Sequence, residues 1–261
     1  MYYDIHSHLN LKPLSKNLEE VIERMREAKT KTITVGVDLE TSKQAIIIAE
    51  KNEDIWATIG LHPTDNEKEI FDSVEYEKLG KHPRVVAIGE CGLDYYRKDD
   101  EETKKRQKEI FLKHIELAIF LDKPLMIHAR PKEGSMDAYE DVLSILEEKK
   151  KINEKLSGNF HFFVGNLEIA KRVFALGFSV SFDGPITFTK EYDEVIAFAP
   201  IDKIHAETDA PFAAPHPYRG KTNEPAYVVE IVKKIAEIKK LPLAELAGEL
   251  RSNFIKTFRV G

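Results

Sequence analysis

Short apolar runs alternate with longer stretches of helical periodicity along the whole chain. The runs fall at residues 2–8, 31–37, 55–61, 85–90, 124–128, 159–164, 178–182 and 203–208. Val85, Val86, Ala87 and Ile88 are consecutive apolar residues, which predicts a strand covered on both faces, as in a parallel sheet. Helical patterns follow at 18–29, 41–51, 67–79, 101–122, 135–150, 167–176 and 190–198. Another runs to about residue 239 from Asn223-Glu224-Pro225, a cap with Pro in the first turn, and an extra helix spans 243–258. In the long helix Phe111, Ile115, Ala118 and Ile119 keep the spacing of one buried stripe. Eight strands, each followed by a helix, predict an α/β fold: one (β/α)8 TIM barrel over 1–261 with an extra C-terminal helix. An open doubly wound sheet fits less well, because no Gly-rich phosphate fingerprint follows the first run.

The polar residues at the carboxyl ends of these runs change the picture. His6 and His8 end the first, His62 the third, Glu90 the fourth and His128 the fifth; His161 lies in the sixth and Asp209 ends the eighth. In this fold those ends form one face, where active sites sit. His6 and His8 alternate on a strand and so share a side, a ready chelate for a metal. Burying so many polar groups without a cation would cost roughly 2–7 kcal/mol each. A metal site is therefore expected. Glu207 faces inward and is expected to orient a ligand histidine. His82 and His114 read as surface groups, His205 and Cys91 as core, and His216 as a loop residue near the site.

Composition narrows the setting. The chain has 261 residues, 42% hydrophobic and 32% charged, with a net charge of −6. An acidic chain has no general attraction to nucleic acid, so any phosphate must be met by local charge from metals or a few placed Arg and Lys. A single cysteine allows no internal disulfide and suits a reducing compartment. No signal peptide and no run of membrane-spanning length is visible.

DIHSHLN at 4–10, GLHP at 60–63, GECGLDYY at 89–96, PLMIHAR at 124–130, ETDAPF at 207–212 and YRGKTNEPAYV at 218–228 together resemble the TatD-type metal-dependent deoxyribonucleases of the amidohydrolase-like superfamily. The resemblance runs over essentially the whole chain. It implies a cytoplasmic nuclease acting on DNA, often from the 3′ end, with a divalent-metal barrel site. It also implies that His6, His8 and Asp209 hold one metal, that His128 and His161 hold a second, and that Glu90 bridges them. His62 and Arg219 would contact substrate phosphate. Two positions depart from the family. His161 is followed by Phe-Phe-Val-Gly where Cys-Phe-Ser-Gly is usual, a bulkier setting for the second metal. Arg130 is followed by Pro-Lys-Glu-Gly-Ser, where many members have a small residue two positions on.

Four His and two acids form a mixed N/O set suited to two Zn²⁺ or Mn²⁺ ions, with Fe²⁺ and Co²⁺ as alternatives and Mg²⁺ preferring more oxygens. Two such ions would activate a water for attack on a phosphodiester, with Asp209 taking its proton. Arg219, Arg130 and Lys221 would hold phosphate oxygens. No membrane and no obligatory protein partner is expected. The alternative is an amide or ester hydrolase of the same superfamily, such as a D-aminoacyl-tRNA deacylase or a lactonase. Related barrels of that type often carry a bridging Lys at the end of strand four, where this chain has Glu90.

Overall fold

All eight apolar runs form strands, and each pairs in parallel with the next in chain order. The structure, a computed structural model, describes residues 1–64 and 69–260. The strands are β1 (Tyr2–Ser7), β2 (Thr30–Val35), β3 (Ile55–Ile59), β4 (Val85–Asp94), β5 (Leu125–Arg130), β6 (Gly158–Phe160), β7 (Ser179–Phe182) and β8 (Ile204–Ala206). A bridge between Ser7 and Ala210 brings the eighth strand's exit back to the first, with His8 N–H donating to Ala210 O and Asp209 N–H to His6 O. The result is a nearly closed TIM barrel.

The helices are α1 (Leu18–Glu27), α2 (Leu39–Lys51), α3 (Ser73–Gly80), α4 (Glu101–Leu121), α5 (Asp137–Ile152), α6 (Leu167–Ala175), α7 (Asp193–Phe198), α8 (Val228–Lys239) and α9 (Leu243–Phe258). Several start where a side chain fills the orphan amides of the first turn: Asp38 accepts from Thr41 N–H, Asp100 from Thr103 N–H and Asn166 from Ile169 N–H. The third helix begins later than expected. Asp72 caps α3 by accepting from Val74 and Glu75, while Glu67 and Lys68 of the expected helix lie outside the described residues. Pro225–Tyr227 form a 3-10 turn that leads into α8.

The fourth strand runs four residues past the expected end at Glu90. Its register against β5 slips between Ile88 and Cys91, so that three steps along β4 match two along β5. Such a bulge turns a side chain towards a new direction. Gly89 and Gly92, at φ +141° and +139°, permit it; a Cβ on either would sit 2.2 Å from Met126 O or 2.0 Å from His128 O. By contrast β6 and β8 are shorter than expected, so His161 and Asp209 lie just past them.

A large core fills the space between strands and helices. A second cluster (Tyr3, Ile5, Ile33, Val35, Val86, Ala87 and Met126) meets Phe254 and Phe258 of α9. The extra helix thus covers the amino-terminal end of the barrel and leaves the opposite end open. His205 is buried there, 3.2 Å from Thr257 Oγ1, a core position as expected. No helix among the described residues is long and apolar enough to cross a membrane.

Candidate metal centre

The open end gathers six of the expected residues around one carboxylate. His6 lies within β1 and His8 just beyond it on the same side, as period two requires. The β4 bulge aims Glu90 inward, β5 carries His128, and His161 follows β6 directly. Asp209 follows β8 with φ +53°, a left-handed conformation that Asp tolerates better than most residues.

The two oxygens of Glu90 face different partners. Oε2 lies 3.4 Å from His6 Nε2 and 3.8 Å from His8 Nε2. Asp209 Oδ1 joins that side, 3.3 Å from His8 Nε2 and 3.7 Å from His6 Nε2. Oε1 lies 2.8 Å from His161 Nε2, 2.9 Å from His128 Nδ1 and 3.4 Å from His62 Nε2. His62 therefore belongs by distance to the donor cluster, whereas the resemblance assigned it to substrate phosphate.

A second ring of acids, which sequence reasoning mostly missed, holds these groups. Asp94 accepts from Tyr96 and Arg97 amides and lies 3.2 Å from His128 Nε2, so the other nitrogen, Nδ1, faces the cluster. Glu207 accepts from Phe162 N–H and Ser181 Oγ and lies 3.5 Å from His161 Nδ1. Asp4 sits behind His6, accepting from the amide and hydroxyl of Thr208 and from Thr32 Oγ1. Asp183, just after β7, is buried with one oxygen lacking a hydrogen-bond partner. Asp4 was readable from its alternation with His6 and His8.

Burial and neighbours divide the charges. Burial would raise the Glu90 carboxyl, but His161, His62 and His128 hold it well below the usual range. Asp209 is likewise opposed by burial and lowered by His8 and His6. Burial pulls His6 down, assisted by His161, while His8 and His161 resist burial and rise because Asp209 and Glu90 face them. Burial pushes Asp4 up to about 8, against its hydrogen bonds from Thr208 and His6. Asp183 is pushed well above the carboxylate range by burial and by Glu207 and Asp209.

These donors fit metal ions. His6 Nε2 faces His8 Nε2 at 3.2 Å, and His128 Nδ1 faces His161 Nε2 at 3.2 Å. Facing ring nitrogens repel unless a proton or cation lies between them. Two nitrogens each about 2.0–2.1 Å from one ion stand about 3 Å apart. Among the described residues, three sets keep their donor atoms within 4.8 Å of one another: His6, His8 and Glu90; His6, His161 and Glu207; and His62, Glu90 and His128.

A model of the family described as TatD related DNase matches residues 3–259. The chain belongs to the TatD-related DNase family. Its relatives include a Bacillus subtilis protein named as the uncharacterized metal-dependent hydrolase YabD. That protein is 40% identical, and the match covers 100% of both chains. The Escherichia coli metal-dependent hydrolase YcfH, also described as uncharacterized, is 32% identical, with 98% of this chain and 95% of that protein covered. Among solved structures, the TatD homolog YJJV of Escherichia coli superposes with a TM-score of 0.90 at 26% identity, covering 100% of this chain and 98% of that one. The TatD-related DNase fold is thus shared along the full length.

Around the centre opens a cavity of about 580 Å³. Arg97 and Arg130 line one wall, and Phe162, Val164, Pro185, Tyr192 and Phe212 line others. Arg219 and Lys221 do not line it; both are exposed on the loop after β8. His216 is exposed on that loop too, its amide donating to Thr187 Oγ1. His82 stays partly exposed and pairs with Glu50, as expected of a surface group. His114 corrects the expectation. It is fully buried, because it packs against Phe71 and bonds Leu61 and Ile110. Cys91 is buried in the core, and burial pushes its thiol well above the ordinary range.

Proposed function

We propose that this chain is a divalent-metal-dependent deoxyribonuclease, acting in the cytoplasm, that hydrolyses phosphodiester bonds of DNA from the 3′ end. The observation that carries this reading is the position of Glu90, one oxygen turned to His6 and His8 and the other to His128 and His161. On this reading His6, His8 and Asp209 would hold one ion and His128 and His161 a second, with Glu90 available to both sets. His62, 3.4 Å from Glu90 Oε1, lies where it can assist the second ion or meet a phosphate oxygen. Four imidazoles with two carboxylates suit Zn²⁺ or Mn²⁺.

When bound, two such ions lower the pKa of a water and polarise a phosphoryl oxygen. The chain supplies the rest. Asp209 is held below the usual carboxylate range, so at neutral pH its carboxylate can orient the attacking water and take a proton at Oδ1. Asp94 fixes the ring of His128, and Glu207 fixes the turn at His161 and Phe162. Phe162, Val164, Pro185 and Tyr192 exclude bulk water from one wall of the cavity. Arg130 presents a guanidinium fork from another wall, matched to phosphate oxygens, with Arg219 and Lys221 as further cations on the same face.

The test is Asp209→Asn assayed on single-stranded DNA, with aminoacyl-tRNA and simple lactones as rival substrates. The expected outcome is DNA turnover in the wild type and a loss of about 10²- to 10⁴-fold in the variant, with melting behaviour retained. Full activity in the variant overturns the role of Asp209. Turnover confined to acyl substrates overturns the DNase reading itself.

A further inference from the structure

Several arginines of this surface are neutralised. Arg24 pairs with Glu224, Arg26 with Asp54, Arg172 with Glu140 and Glu147, and Arg259 with Asp122. Arg130 and Arg219 are different: among the described residues neither has a carboxylate within ion-pair distance. Each instead lies over an aromatic ring. The Arg130 guanidinium carbon is 4.1 Å from the Tyr96 ring centre, and that of Arg219 is 3.9 Å from Phe188. Both rings are themselves exposed, Tyr96 at 54% and Phe188 at 43%. Neither the barrel core nor the metal cluster accounts for a large exposed ring capped by an unpaired cation, twice over.

Their placement supplies a reason. Tyr96 and Arg130 follow β4 and end β5; Phe188 and Arg219 lie on the loops after β7 and β8. In a ring of eight strands these two pairs stand on different sides of the open end, with the Glu90 cluster between them. Phe212, 53% exposed, adds a third ring on the cavity wall beside His8. Bases of an unpaired strand stack on aromatic faces and on guanidinium planes, while the edge of the same guanidinium can donate to a phosphate. A ring with a cation on it therefore offers one nucleotide both of the surfaces it carries.

We propose that Tyr96 with Arg130 and Phe188 with Arg219 are two nucleotide clamps, one on each side of the metal centre, that stack bases flanking the bond to be cut. The inference rests on the DNase reading and deepens it. The strand is gripped through the faces of its bases, so base identity matters little and the presence of bases matters much. Lys221, 5.9 Å from the Tyr218 ring, extends the cationic side of the second clamp.

The test uses the metal-loaded protein, an oligothymidylate eight residues long as substrate, and a baseless octamer of tetrahydrofuran phosphates as competitive inhibitor. Wild type should bind the baseless chain more weakly than the thymidylate. Tyr96→Ala and Phe188→Ala should each raise KM for the thymidylate by about 5- to 100-fold, the range of one lost stack, with kcat and the inhibition constant of the baseless chain unchanged. Tyr96→Phe and Phe188→Trp should restore KM. Both rings are exposed, so unchanged melting and metal content should accompany the variants. Equal binding of the two chains by wild type, or equal weakening of both by the variants, overturns the clamps while leaving the DNase reading intact. Absence of any DNA cleavage by wild type overturns both.

Discussion

At the residue scale, His114 has two ring nitrogens with opposite tasks. Nε2 accepts the Leu61 amide at 2.9 Å, and Nδ1 donates to Ile110 O at 2.9 Å. The Leu61 bond requires the neutral ring, and burial pulls its pKa down to about 4. A second proton would put an N–H against the Leu61 N–H. In the unfolded chain the same ring titrates near 6.5. Between those values the unfolded state binds the proton and the folded state does not, so stability is full above about pH 6.5 and is lost as pH falls towards 4. His205, lowered by burial to about 3, acts in the same direction. Urea unfolding at several pH values should show this slope, and His114→Leu should flatten it. The same variant should cost about 1–3 kcal/mol at pH 7, because the Leu61 amide loses its acceptor. An unchanged slope in the variant would show that another group sets it. The buried place of His114 was readable in the chain: it lies three residues after Phe111 and four before Ala118, inside the stripe that marks the core face of the helix.

At the scale of the element, β4 decides whether Glu90 reaches the centre. The strand hugs β5 so closely that a methyl group at residue 92 would meet the carbonyl of His128. Gly92→Ala adds that clash to a φ of +139°, which an L side chain rarely adopts. The expected cost is roughly 2–4 kcal/mol, with weaker metal retention because β4 and β5 carry Glu90 and His128. Thermal melting and metal analysis check both, and an unaltered melting curve would show that the bulge is looser than the geometry says. The sequence made the strand visible through its four apolar residues, and the Gly on each side of Glu90-Cys91 marked something unusual. It did not show that the strand continues to Asp94. That extension depends on how closely β5 approaches, which no local pattern encodes. For the same reason Asp94 went unassigned: its partner, the Nε2 of His128, is thirty-four residues away. His6 and His8 were easier, because a period of two on one strand fixes their shared side whatever packs around them.

Across the whole molecule, the ring of strands brings together groups that are up to two hundred residues apart, as in the bonds from Thr208 to Asp4. Fold class alone was enough to place the histidines and Asp209 on one face. It could not say which oxygen of Glu90 meets which histidine, because that depends on barrel closure and on the bulge. Closure also sets the electrostatics. Glu90 and Asp209 raise the His8 and His161 rings above the ordinary imidazole value, so protons compete with a metal ion for their nitrogens. Loading the centre must then expel them, and binding should release protons and weaken as pH falls. Calorimetric titration of chelator-stripped protein with Zn²⁺, repeated in buffers of different ionisation enthalpy, should show the release as a buffer-dependent heat. Loading should also stabilise the barrel, since the ions bind the folded ring and the unfolded chain offers no assembled site. At a free metal concentration of 100 times Kd that linkage is about 2.7 kcal/mol, or roughly 5–10 °C in melting temperature for a domain of this size. Glu90→Gln should lose most of that increment, because both donor sets depend on the same carboxylate. Retention of the full increment in that variant would mean that the two sets load independently, and the bridge at Glu90 would fall.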